Sequence, residues 1–157
     1  MDFAIRDARP ADFEMLWRID QQCFAHDIAY SQPELAAYMR LRGSFTLVAE
    51  SGESGQILGF LVGLVRRRSP GHIITIDVLP TARRFGVGSK LLSSAENRLR
   101  ADQCTTVELE TAVNNTSALS FYKRHGYFLI KTVPRYYPDG LDAFVLKKDL
   151  LSPVPAK

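Results

Sequence analysis

The stretch Val78-Leu79-Pro80-Thr81-Ala82-Arg83-Arg84-Phe85-Gly86-Val87-Gly88-Ser89-Lys90-Leu91-Leu92 carries an apolar, strand-like run to Pro80, turns through two glycines and enters an amphipathic helix. Strand, glycine turn and helix in that order can cradle a pyrophosphate. Glycine removes the Cβ that would hold a ligand away, and the new helix presents unpaired N–H groups and its positive dipole end. Arg83 and Arg84 add positive charge beside it. A plain chain reversal uses the same ingredients, so the rest of the chain decides between the two.

The strand feeding the turn covers residues 72–78. Strict alternation puts His72, Ile74, Ile76 and Val78 on one face and Ile73, Thr75 and Asp77 on the other. An aspartate inside an apolar strand is unusual. After the turn, residues 89–100 read as a helix with Leu91, Leu92, Ala95 and Leu99 packed and Lys90, Glu96, Arg98 and Arg100 outside. Residues 107–110 alternate as a strand with Glu108 and Glu110 on one face. Asn115 caps a helix over 117–125, and Gly126 terminates it. His125 reads as a cation at that helix C-terminus. Residues 127–133 and 143–148 form a closing strand pair around Tyr136-Tyr137-Pro138-Asp139-Gly140.

In the first half, residues 3–8 alternate as a strand. Phe13, Leu16, Trp17, Ile19 and Cys23 recur at helical steps over 11–24. Residues 24–30, including Phe24, His26 and Tyr30, have no period and form a loop that could line a substrate groove. Ser31 and Glu34 make a capping-box pattern, with Pro33 in the first turn of a helix reaching about residue 41. Residues 45–50 and 57–65 read as a hairpin, and Arg66-Arg67-Arg68 as a solvated turn.

The 157 residues, 46% of them hydrophobic and 24% charged, suit one domain over 1–150 with a loose tail at 151–157. A formal charge of +3 is too small for a nucleic-acid-binding surface. Cys23 and Cys104 have no paired spacing, which speaks against a disulfide framework or thiolate metal site. No apolar run approaches the roughly 20 residues of a membrane span, and a cytoplasmic location is expected.

With these elements in order, Arg83-x-x-Gly86-x-Gly88 after a strand resembles the acyl-coenzyme-A signature of the GCN5-related N-acetyltransferases (GNAT). Glu110, Asn115, Tyr122, Gly126 and Tyr127 resemble the family's second signature. The resemblance covers nearly the whole chain. It implies an α+β fold, an α/β/α sandwich built on a mixed, mostly antiparallel seven-stranded sheet with splayed central strands and four helices. It also implies acetyl-CoA as cofactor. Backbone N–H groups of Arg84, Phe85, Gly86, Val87, Gly88 and Ser89 would hold the pyrophosphate beside Arg83, and Asn115 the pantetheine amides. The Val78 N–H would polarise the thioester.

By the same resemblance Tyr122 is the general acid and Glu110 the general base, directly or through water, with His72 able to relay a proton and Asp77 to share that work. Residues 71–76 and 135–143 look most like protein N-terminal acetyltransferases, including the bacterial RimI type. Tyr136 and Tyr137 would then grip the acceptor, with Phe24, Tyr30 and Asp77 also on the acceptor side. The pattern departs at Thr111-Ala112, where the RimI type carries a basic residue, and at Phe24-Ala25, where it carries Phe-Pro. A lysine side chain or a small-molecule amine is the alternative acceptor, and a non-catalytic acyl-CoA sensor keeps the same fold. The chain is expected to act as a monomer or homodimer without metal, nucleic acid or membrane.

Overall fold

The computed structural model describes residues 1–25, 28–66 and 70–151. His26, Arg67, Arg68 and the tail from 152 onward lie outside the described residues. The elements are β1 (Phe3–Asp7), α1 (Phe13–Cys23), α2 (Gln32–Arg40), β2 (Ser44–Ser51), β3 (Ile57–Leu64), β4 (Gly71–Val78), α3 (Val87–Ala101), β5 (Thr106–Ala112), α4 (Thr116–Arg124), β6 (Phe128–Val133) and β7 (Ala143–Asp149). Seven strands form one sheet in the order β1-β2-β3-β4-β5-β7-β6, antiparallel except between β4 and β5. This is the expected α+β sandwich with its expected element order.

Local chemistry sets the boundaries. Ser31 Oγ accepts from the Glu34 N–H at 3.2 Å while Glu34 Oε1 accepts from the Ser31 N–H at 2.8 Å, so the capping box starts α2 as anticipated. β3 is buried along its whole length because helices cover both faces of the sheet there. Leu91, Leu92, Ala95 and Leu99 of α3 pack into the core as expected. Glu96 does not point outside: it is 5% exposed, accepting from Tyr127 Oη at 2.8 Å and from Lys148 Nζ at 2.9 Å. It lies one turn from Leu92 and from Leu99, hence on the packed face, and burial is tolerated because both oxygens are satisfied.

The strict alternation expected for β4 is also corrected. Val62 pairs with Thr75 but Gly63 with Ile73, leaving Ile74 as an extra, unpaired residue. Such a bulge resets which face each later side chain takes. A Cβ on Gly71 would strike Leu99 of α3, and Val78 lies against Gly88 of the same helix, although strict alternation would put positions 71 and 78 on opposite faces. Asp77 therefore faces the other way, toward α1, where it meets Asp20.

β4 and β5 pair at Gly71↔Val107 and His72↔Glu108, and no further pairing joins them. Their C-terminal ends part, opening a gap in the middle of the sheet.

Candidate functional site

The first wall of the gap is backbone. Leu79 N–H donates to the Leu58 carbonyl at 2.9 Å, which makes Leu58 and Leu79 a bonded pair of the β3–β4 ladder. Bonded and non-bonded pairs alternate in an antiparallel ladder, so Val78, opposite Gly59, is non-bonded and turns its N–H and C=O away from β3 into the gap. The Val78 carbonyl takes Cys23 Sγ–H at 3.3 Å and Arg83 Nε–H at 3.1 Å. Burial pushes the Cys23 thiol up to about 11, so it remains a donor. The Val78 N–H is left facing the gap.

The turn at the end of β4 fits an anion. Arg84 and Gly86 both take left-handed φ, at 71° and 82°. Residues 83–86 are exposed, and a Cβ on Gly86 would meet nothing within 4 Å. Backbone N–H groups in such a turn converge on a concavity, and no side chain caps the N-terminus of α3 that follows. Gly88 serves a different end: its Cβ position lies 3.3 Å from the Phe121 ring, so glycine there lets α4 pack on the first turn of α3. The helix starts at Val87, two residues ahead of the expected start, because Gly86 supplies the left-handed N-cap.

The opposite wall is a polar chain centred on Glu110. His72 Nε2 lies 2.7 Å from Glu110 Oε1, Tyr136 Oη donates to the same oxygen at 3.4 Å, and His72 Nδ1 lies 3.0 Å from Arg66 Nη2. A guanidinium only donates, so Nδ1 must accept and the ring hydrogen sits on Nε2, donating to Glu110. His72 is therefore an oriented donor with its lone pair already engaged. Both protein contacts fall on Oε1, and among the described residues no hydrogen bond engages Oε2. Tyr136 packs edge-on against Tyr137, ring centroids 4.9 Å apart, and burial and Glu110 push the Tyr136 phenol up to about 12.

Tyr122 on α4 is buried, which holds its phenol above its ordinary value and so protonated, with Asp77 and Tyr137 adding to the effect. Among the described residues nothing hydrogen-bonds to its hydroxyl. Asn115 Oδ1 caps α4 by accepting from the Ala118 N–H at 3.1 Å and leaves the Nδ2 amide unengaged by described residues. Phe24 is half-buried and Phe85 exposed. Tyr30 is held by its backbone: its carbonyl takes Trp17 Nε1 at 3.0 Å and Gln21 Nε2 at 2.7 Å, and its N–H donates to Asp20 Oδ2 at 2.7 Å. Trp17 thus braces the loop before α2.

The structure separates Asp77 from the open groove. Asp77 is 1% exposed and Asp20 0%. Asp77 Oδ1 takes the Thr75 hydroxyl at 2.6 Å, while among the described residues Asp77 Oδ2 and Asp20 Oδ1 have no N–H or O–H donor. One proton held on Asp77 and shared with Asp20 satisfies both. Burial, then the hydrogen bond to Asp20 and its charge, raise the Asp77 carboxyl well above its ordinary 3.8, with Arg83 opposing.

In the native state this proton persists where the unfolded chain has lost it, so its contribution to stability is complete below about pH 3.8 and is lost as pH rises toward the raised native value. Urea unfolding of the parent and of Asp77→Asn across that interval should show the stability difference moving in favour of the variant as pH rises. A constant difference would mean that Asp77 is ionised in the fold.

Three participants escaped the sequence reading. Asp20 sits one turn after Leu16 and Trp17 on the packed face of α1, a signal present in the pattern. Cys23 carried no signal for its bond to Val78. Arg66 belongs to a basic run that reads as a solvated turn, and only the fold brings it to His72.

Among the described residues no helix is long and apolar enough to cross a membrane. Residues 13–127 match the model of the acetyltransferase (GNAT) family. The chain is 30% identical over 145 residues to an uncharacterized N-acetyltransferase of Methanocaldococcus jannaschii, covering 92% of this chain and 90% of that one. It is 29% identical to an N-alpha-acetyltransferase of Sulfolobus acidocaldarius, covering 96% and 94%. The crystal structure of Ard1 from Thermoplasma volcanium superposes with a TM-score of 0.87 at 28% identity, covering 97% and 100%. A glycine turn at one end of a split sheet, a carboxylate across the gap and this similarity along the chain agree, and the protein belongs to the GNAT family of acetyltransferases.

Proposed function

We propose that this enzyme transfers an acetyl group from acetyl-CoA to the α-amine of a protein or peptide N-terminus, directly and without an acetylated enzyme. The observation that carries the reading is the pairing, across one gap, of a free Val78 N–H with a carboxylate whose second oxygen is open. The relatives named N-alpha-acetyltransferase support the choice of acceptor.

Acetyl-CoA, when bound, supplies a thioester-activated acetyl group. The N–H groups of residues 84–89, with Arg83 and Arg84, hold the pyrophosphate, and Asn115 Nδ2 donates to the pantetheine arm. The Val78 N–H donates to the acyl oxygen, where negative charge grows during transfer. Glu110 Oε2 takes a proton from the incoming ammonium, directly or through water. An α-amine with a reference pKa near 8 needs only this modest base, whereas lysine, near 10.4, needs more. The Tyr122 hydroxyl donates to the departing sulfur. Tyr136 and Tyr137 hold the first acceptor residues over Glu110.

Coenzyme A release on a peptide panel tests the acceptor. Free N-terminal peptides are expected to turn over, and N-blocked peptides with an internal lysine are not. Equal rates on the two sets would reject the α-amine.

A further inference from the structure

The imidazole of His125 joins α4 to the first turn of α3. Its Nδ1 lies 2.7 Å from the Phe121 carbonyl and its Nε2 2.8 Å from Ser89 Oγ. A carbonyl only accepts, so Nδ1 carries hydrogen whatever the charge of the ring, and Nε2 is the nitrogen that titrates. In the neutral ring Nε2 is a lone pair, and Ser89 must direct its one hydroxyl hydrogen at it. In the imidazolium Nε2–H donates to Oγ instead, and the Ser89 hydrogen is released. Ser89 is the third residue of α3, whose N-terminus no side chain caps.

We infer that His125 is a positioning residue for the coenzyme A pyrophosphate: binding favours the form protonated at His125 Nε2, with net uptake of a fraction of a solvent proton, and this turns the Ser89 hydroxyl from His125 toward a phosphate oxygen. This rests on the coenzyme A reading of the turn. The charged groups about His125 are Lys123 and Arg124 on its own helix, Lys90 beside Ser89, and Lys148, which lies against Gly126 and is paired with Glu96. Neither hydrogen-bond partner of His125 is a carboxylate, and the pyrophosphate supplies the missing anion. The Phe121 ring covers one face of the imidazole at 4.5 Å. Protonated His125 favours the ligand, so affinity falls as pH rises.

The probe is 3′-dephospho-coenzyme A, because a phosphomonoester itself titrates near pH 6 and would mask the effect. Calorimetry in buffers of different ionisation enthalpy should show proton uptake near neutrality. Affinity should fall roughly five- to tenfold from about pH 5.5 to about 8.5, the scale of one partly screened charge-assisted hydrogen bond. NMR of the three histidines in the unaltered protein should show the His125 titration displaced upward by this probe and unmoved by pantetheine, which lacks the pyrophosphate. Ser89→Ala and His125→Gln should each abolish the uptake. Binding without uptake, with the His125 titration unmoved, overturns the inference and leaves the coenzyme A reading standing. No binding at any pH removes both.

Discussion

Replacing Glu110 with glutamine is expected to lower kcat/KM roughly a hundred- to thousandfold, in the range of a lost general base, with the thermal transition near that of the parent. Glutamine has the same shape, and its amide oxygen still accepts from His72 Nε2 and Tyr136 Oη where Glu110 Oε1 does now. What it cannot do is take a proton at the second position, which protein groups leave open. Because the polar chain Arg66–His72–Glu110 survives, a rate loss would report chemistry rather than a collapsed wall. Glu108→Gln, on the same strand face and outside the chain, is the control and should stay near the parent rate. A fully active Glu110→Gln enzyme would move the base to water or another group.

A large loss of stability is expected at Glu96. Glu96→Ala leaves the Lys148 ammonium, whose side chain is 23% exposed, and the Tyr127 hydroxyl without their shared acceptor. Removing one partner of a buried pair costs about 3 kcal/mol, here at the lower end of the usual range because Lys148 keeps some access to water. Burial and Glu96 raise the Tyr127 phenol far above its ordinary value, so its hydroxyl donates at any working pH and the loss should not depend on pH near neutrality. Glu96→Gln retains an acceptor oxygen and should cost about half as much. Urea unfolding measures both, and a change below about 1 kcal/mol for the alanine variant would mean that Lys148 swings out to solvent.

Most of the fold could be read because each segment carries its own punctuation. Ser31 with Glu34 opens α2, Asn115 opens α4, and Gly126, at a φ of 90°, closes it. The donor side was equally plain, since glycines in a strand–turn–helix leave a local mark. The acceptor side was harder for a physical reason: its groups are assembled from distant strands. His72 and Glu110 each stand out in the sequence, but their 2.7 Å contact comes from the parallel pairing of β4 with β5, which no local pattern encodes. Arg66 had no mark at all. Asp20 and Glu96 were acidic residues on apolar faces, and their partners on remote strands make their burial affordable.

The extra residue at Ile74 gives β4 a phase shift that an alignment of side-chain types would miss. Upstream of it the strand's odd positions look toward α3, and downstream its even positions do, so one strand delivers His72 to the acceptor side and Val78 to the donor side without a second element. Length, more than composition, is what this strand must preserve. Substitution at Ile74 changes one packing contact, whereas deletion would exchange the faces of every residue on one side of it, separating the imidazole from Glu110 or turning the Val78 amide out of the gap.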